Sequence, residues 1–175
     1  MAKELSHLDA RGRARMVDVA DKPITRRVCV ARGEVQMAAE TLQRIASGAM
    51  PKGDVLATAR LAGIQAAKRT DEWIPLCHSL PLDGVEIDLI SDAERSRVAI
   101  EARVQAHART GVEMEALVAV SAAGLAIYDM CKAIDRSMTI TAVRLESKSG
   151  GKSGEWKRSG GAAGSSPADA DSGAG

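Results

Sequence analysis

The sequence predicts an α+β fold, an antiparallel sheet with helices packed on one face, and three observations carry that prediction. The stretch Thr110–Lys132, TGVEMEALVAVSAAGLAIYDMCK, keeps all its charge at its two ends. With no charged side chain between Glu115 and Asp129, a helix here is expected to be buried nearly all round. Val85, Ile87 and Leu89 alternate with Glu86 and Asp88. After the polar turn Ser91–Ser96 the alternation resumes at Val98, Ile100, Ala102, Val104 and Ala106, the period of a hairpin with one buried face. β-Branched residues in Ile24–Val35, around Val28 and Val30, and again in Met138–Lys148 supply one further strand before and one after.

Taken in order, Met16–Val19 reads as a short strand pairing with Ile24–Val35. A short amphipathic helix follows, with Ala38, Leu42, Ile45, Ala46 and Ala49 on one face and Gly48 near its C-terminal end. Met50-Pro51-Lys52-Gly53-Asp54 is a turn, and its Asp54 is a good N-cap for a second helix, Val55–Lys68. That helix carries a narrow face of Ala59, Ala62, Gly63, Ala66 and Ala67. The long helix carries a matching one of Ala119, Ala122, Ala123 and Ala126, and small faces of this kind let helix axes approach closely. His107 falls on the polar face of the hairpin, where a solvated histidine is expected. The apolar phase of the last strand shifts between Ile140 and Val143, which predicts a β-bulge. The core then reads strand, helix, strand, strand, helix, strand, the order of the ferredoxin-like split βαβ arrangement. The expected organisation is a flexible extension at 1–15, one domain at 16–158 and a disordered tail at 159–175, where Gly, Ala, Ser and Asp show no apolar periodicity.

Composition narrows the function classes. A net charge of +1 with 27% charged residues argues against a dedicated nucleic-acid binder, so any phosphate chemistry must be local. Cys29, Cys77 and Cys131 are widely spaced and odd in number, which fits neither a disulfide framework nor a zinc knuckle and points to a reducing, cytoplasmic compartment. No apolar run spans a bilayer without the charges noted, and the N-terminus has no apolar leader core, so no membrane partner is expected. With no Phe, one Tyr and two Trp, the core must be built from Ala, Val, Ile, Leu and Met, and few rings are available to stack bases.

Four groups of residues could carry chemistry. Lys52 precedes Gly53 and a helix N-terminus, where free N–H groups and the helix dipole favour an anion; an ordinary exposed turn lysine is the competing reading. Lys148-Ser149-Gly150-Gly151-Lys152-Ser153-Gly154 resembles part of a phosphate-cradling loop, but Glu146 stands where a Walker A motif needs its first glycine, and a flexible linker explains the composition equally well. Cys77-His78 sits in an apolar turn, where a histidine has a tunable proton, while a metal would need ligands that the neighbouring sequence does not supply. Glu113 and Glu115 open the long helix, and Asp129 and Lys132 close it three residues apart on one face. The plain readings are dipole-complementing carboxylates and a surface ion pair. A lysine desolvated beside a carboxylate at the end of a buried helix is also a proton-transfer pair, its pKa drawn down by desolvation against the pull of the carboxylate. Fourteen helical steps separate Glu115 from Asp129, about 21 Å, too far for both to flank one reacting bond. Either the ligand is long or a neighbouring subunit completes the site.

MVDV at Met16–Val19, PKGDV at Pro51–Val55, AGIQAAKRT at Ala62–Thr70, IPLCH at Ile74–His78, TGVEMEA at Thr110–Ala116, YDMCKA at Tyr128–Ala133 and KSGGKSG at Lys148–Gly154 occur in this order. Together they resemble the cyclic pyranopterin monophosphate synthases, the molybdenum cofactor biosynthesis protein C family, from about Leu5 to Trp156. The resemblance implies a ferredoxin-like subunit in a homohexamer, a trimer of dimers, with interfacial active sites. It implies the rearrangement of 3′,8-cyclo-7,8-dihydroguanosine triphosphate to cyclic pyranopterin monophosphate with release of pyrophosphate. By matching motif, Asp129 and Lys132 would act in acid–base catalysis with Lys52 in the same constellation. Leu76, Cys77, His78, Glu113, Met114 and Glu115 would contact substrate, and Lys148, Lys152 and Arg27 would hold the triphosphate. It implies no metal site and no resident cofactor, and leaves open a divalent cation on the triphosphate. Ser79 departs from the family, which usually carries proline after the histidine, and loses a φ restraint there. The alternative is a non-catalytic module of the same fold that binds a nucleotide or polyphosphate, with no need of Asp129 beside Lys132. A structural oligomer with surface charge pairs would bind no ligand at all.

Overall fold

The structure, a computed structural model, describes residues 11–159. The expected tail from 160 onward and the first ten residues of the expected extension lie outside the described residues. A five-stranded antiparallel sheet runs β2-β3-β1-β4-β5, with β1 Thr25–Gln36, β2 Gly84–Asp92, β3 Arg97–Ala108, β4 Thr139–Ser149 and β5 Trp156–Lys157. The helices are α1 Ala39–Ala46, α2 Val55–Ala67, the single turn α3 Thr70–Trp73 and α4 Glu113–Cys131. The first four strands and the two long helices make the expected ferredoxin-like core.

Inward residues of the two central strands are small or β-branched: Cys29, Ala31 and Val35 on β1, and Val98, Ile100, Ala102, Val104 and Ala106 on β3 are all buried. α4 lies against β1, β3 and β4, and α2 packs on α4 and β2, so both helices cover one face of the sheet. The small faces meet within the subunit. A Cβ added at Gly63 on α2 would lie 3.0 Å from the Ala119 carbonyl of α4 and 3.2 Å from Ile87 Cδ1 of β2. Gly63→Val is therefore expected to destabilise by about 1–3 kcal/mol, the range for overpacking a tight core. A chemical-denaturation midpoint unchanged from wild type would show that the helices can part without cost.

Local signals account for several boundaries. Asp54 caps α2 as expected, its side chain accepting from the Ala57 N–H at 2.9 Å. Gly48 follows the end of α1 with φ +70°. The bulge in β4 appears where the phase shifts: its register against β1 slips between Arg32 and Glu34, and Ala142 stands at φ +54°.

Two expectations are corrected. Met16–Val19 forms no strand, and this exposed to half-buried segment lies outside the sheet; β1's two edges are already taken by β3 and β4. The long helix is buried over most of its length rather than nearly all round. Leu125 is 52% exposed, on a stripe that ends at Asp129 and that neither α2 nor the sheet covers. α3 and β5 were not expected from the sequence, since both are too short for a periodic signal.

Candidate active site

Polar residues collect at the two ends of α4, and the structure divides the sequence-predicted residues between them. At the C-terminal end, Asp129 accepts from two lysines. Lys132 Nζ lies 2.8 Å from Oδ1, one helical turn away, and Lys52 Nζ lies 2.9 Å from Oδ2. Lys52 also donates to the Asp129 carbonyl at 2.9 Å, satisfying a backbone acceptor that the end of the helix leaves open. The turn Met50–Asp54 carries Lys52 there, because the Asp54 cap fixes the start of α2 beside the end of α4. Lys52 thus meets a side-chain carboxylate, not the N-terminus of α2. The two ammonium groups hold the Asp129 carboxyl down to about 2, Lys132 first and Lys52 second. The Lys132 pKa is raised, chiefly by its hydrogen bond to Asp129. From the sequence, desolvation was expected to draw it down, but the Asp129 side chain is 58% exposed, so the carboxylate dominates.

At the N-terminal end of α4 a cleft of about 650 Å³ opens between the sheet edge and the loops. Arg27, Glu113, Lys148 and Lys152 line it, as does Gly151 of the phosphate-type loop. Arg27 is anchored by bonds from Nε to the Ala108 carbonyl and from Nη2 to the Arg109 carbonyl, each 3.3 Å. Lys148 pairs with Glu113 at 2.9 Å. Gly150 and Gly151 have φ +99° and +72°, and a Cβ on either would collide with the Arg26 carbonyl or the Arg27 guanidinium. Glycine is needed here for conformation and for space, which rules out a featureless linker at these two positions. The cleft also includes Lys22 and Arg109, which no motif in the sequence marked. Their only signal was basic character beside a strand end and beside the TGVEMEA motif.

Next to this cleft in sequence, Glu115 is 2% exposed, and its Oε2 has no hydrogen-bond partner among the described residues. Cys77 Sγ donates to Oε1 at 3.6 Å. Burial raises the Glu115 carboxyl above its ordinary range, and the Cys77 thiol is pushed up to about 11 by burial and then by Glu115. This pair therefore presents one open carboxyl oxygen. His78 is half-buried, with Nε2 2.8 Å from the Val17 carbonyl. Ser79 does not leave the turn loose: its hydroxyl donates to Asp71 on α3, and the Cys77 N–H donates to the Ile74 carbonyl at 2.9 Å. A side-chain tether thus stands in for the φ restraint of a proline. Met114 is half-buried and Leu76 is 38% exposed; no polar contact defines either. Among the described residues, no group of three or more His, Cys, Asp or Glu side chains could hold a metal ion. α4 is long and apolar enough to cross a membrane by length and composition, but most of it is buried inside the subunit.

Fold and site together define a class: a ferredoxin-like chain with a basic cleft at one end of its central helix and a lysine–aspartate–lysine cluster at the other. Residues 16–151 match the MoaC family, and this chain belongs to it. It is 62% identical over 156 residues to a cyclic pyranopterin monophosphate synthase of Pelotomaculum thermopropionicum, covering 89% of this chain and 92% of that protein. A protein of the same description from Thermomicrobium roseum is 60% identical over 155 residues, covering 89% and 93% of the two chains. One from Roseiflexus sp. is 63% identical over 153 residues, covering 87% and 97%.

Proposed function

We propose that this chain acts in molybdenum cofactor biosynthesis as a cyclic pyranopterin monophosphate synthase. It would convert 3′,8-cyclo-7,8-dihydroguanosine triphosphate to cyclic pyranopterin monophosphate and release pyrophosphate. The observation that carries this reading is that curated relatives so described are 60–63% identical to the chain along most of both lengths. The geometry suits the chemistry. Arg27, Lys148 and Lys152 converge on one cleft and are the right charges for a triphosphate, and they stabilise the charge that develops on departing pyrophosphate. The Glu115–Cys77 pair offers polar groups to the edge of a guanine-derived ring, with His78 and Met114 beside them in the chain. In this reading the protein carries no resident cofactor, and a divalent cation, where one is present, arrives on the triphosphate.

Lys132 is charged at neutral pH, so its ammonium is the proton donor of the pair, and Asp129 raises its pKa and aims both lysines. The two clusters stand at opposite ends of α4, about 21 Å apart along the axis, so one subunit does not bring them to one bond. We therefore propose a homohexamer, a trimer of dimers, in which the Asp129 end of one subunit faces the Lys148 cleft of another in a cytoplasmic enzyme.

Three experiments test this. Anaerobic incubation of the protein with 3′,8-cyclo-7,8-dihydroguanosine triphosphate is expected to yield pyrophosphate and cyclic pyranopterin monophosphate in equal amounts. Binding without conversion would instead favour a non-catalytic nucleotide-binding module. Lys148→Ala is expected to lower kcat/KM by tenfold or more, since it removes a charge-assisted contact of about 1.5–3 kcal/mol. Lys148→Ala and Asp129→Asn subunits, dissociated and reassembled together, should turn over faster than either variant alone. Failure of that complementation would place each site within one subunit.

A further inference from the structure

The segment before β1 was read from sequence as a strand, and the structure gives it a different use. Its backbone is tied at three places. Asp18 Oδ1 accepts from the Ala20 N–H at 2.9 Å, the Lys22 N–H bonds the Val19 carbonyl at 3.0 Å, and Arg109 Nε donates to the Lys22 carbonyl at 3.2 Å. These ties hold the half-buried Val17 with its carbonyl 2.8 Å from His78 Nε2. From the other side, the Ser79–Asp71 bond and the Cys77–Ile74 turn hold the backbone that bears the ring.

A backbone carbonyl only accepts hydrogen bonds, so a ring nitrogen at this distance must be the donor. Nε2 therefore carries hydrogen in the neutral ring and in the imidazolium alike, and the lone pair of the neutral ring lies on Nδ1. We infer that the Val17 carbonyl sets the tautomer of His78, holding hydrogen on Nε2 and leaving Nδ1 as the nitrogen that meets substrate. The role at substrate rests on the function proposed above; the tautomer does not. Nδ1 accepts a hydrogen bond from a substrate N–H or O–H. A proton taken in that way goes to the Nδ1 lone pair, leaves its bonding electrons on the substrate atom, and produces an imidazolium whose Nε2–H is already bonded to Val17. Val17 and Asp18 are then positioning residues: Val17 acts through its carbonyl, and Asp18 through the turn that aims it.

The test is 15N NMR of the full chain with labelled histidine, which distinguishes protonated from unprotonated ring nitrogens. Wherever the His78 ring of the free protein is neutral, it is expected to be a single Nε2–H tautomer; an Nδ1–H form or a mixture overturns the inference. With 3′,8-cyclo-7,8-dihydroguanosine triphosphate added to the Asp129→Asn full chain, the Nδ1 resonance should move while Nε2 keeps its hydrogen; the reverse pattern overturns it. Asp18→Ala should give a mixture of tautomers and a severalfold lower kcat, both restored in Asp18→Asn, which keeps the side-chain acceptor. An unchanged tautomer in Asp18→Ala, whatever its kcat, overturns the claim that this segment holds it. Absence of turnover in the wild-type protein would instead count against the proposed function and leave the free-state tautomer standing.

Discussion

Asp129→Asn is expected to lower kcat by about a hundredfold to ten-thousandfold, the range lost with a positioned general acid or base, while the helix content and assembly of the protein stay unchanged. Asparagine keeps the shape and one acceptor but removes the negative charge that both Lys132 and Lys52 contact at 2.8 and 2.9 Å. The two ammonium groups then repel each other across a neutral amide. The hydrogen bond to Asp129 is also the largest cause of the raised Lys132 pKa. Without it the lysine loses its proton at lower pH, so the alkaline limb of any residual activity should move towards neutrality. Steady-state kinetics against pH, with circular dichroism and size exclusion as controls, reads both effects. Wild-type kcat in Asp129→Asn would end the assignment of this cluster to the chemistry.

The largest expected effect on stability comes from Asp135, three residues after Lys132 and outside the contacts of the lysine–aspartate–lysine cluster. Asp135→Ala should destabilise the fold by about 2–3 kcal/mol, because one buried carboxylate serves several donors and its loss strands them. Oδ2 accepts from the Ala38 N–H at 2.9 Å and the Thr41 hydroxyl at 3.1 Å, while Oδ1 accepts from the N–H and hydroxyl of Ser137 at 3.0 and 2.7 Å. α1 begins at an alanine cap with no side-chain acceptor of its own, so Asp135 caps it from the other side of the chain. The Ala38 N–H, then Ser137 and Thr41, hold the Asp135 carboxyl below the ordinary carboxylate range. A depressed folded-state pKa adds stability that is complete above the unfolded value, about 3.9, and is lost as pH falls through the folded one. The gap in urea midpoint between wild type and Asp135→Ala should therefore be full near neutrality and shrink in strong acid. A gap that is the same at all pH values would mean that the ionised carboxylate is not what holds α1.

Both effects depend on contacts distant in sequence, and this separates what could be read early from what could not. Periodicity and local caps made the core legible: the hairpin alternation, the Asp54 cap, the facing alanine stripes and the bulge near Ala142 all followed from neighbours a few residues apart. The motif set, carried by order and spacing, pointed to the family that the chain belongs to. The strand read at Met16–Val19 failed because β-branched residues fit any half-buried extended segment, and both edges of β1 were already occupied. Lys22 and Arg109 escaped notice because a basic residue in a loop carries no periodic signal until its neighbours are known.

Taken by itself, the sequence determined the order of elements, the face each one buries and the residue types that bear chemistry, because period, capping and composition are local properties of the chain. Only the tertiary structure decided where the charges stand. It carried Lys52 across the subunit to Asp129, left that cluster in solvent, buried Glu115 against Cys77 and put a backbone carbonyl on His78. Desolvation and hydrogen-bond partners come from chain segments tens of residues apart, so the direction of each pKa shift, and the sign of the error made for Lys132, belonged to the fold.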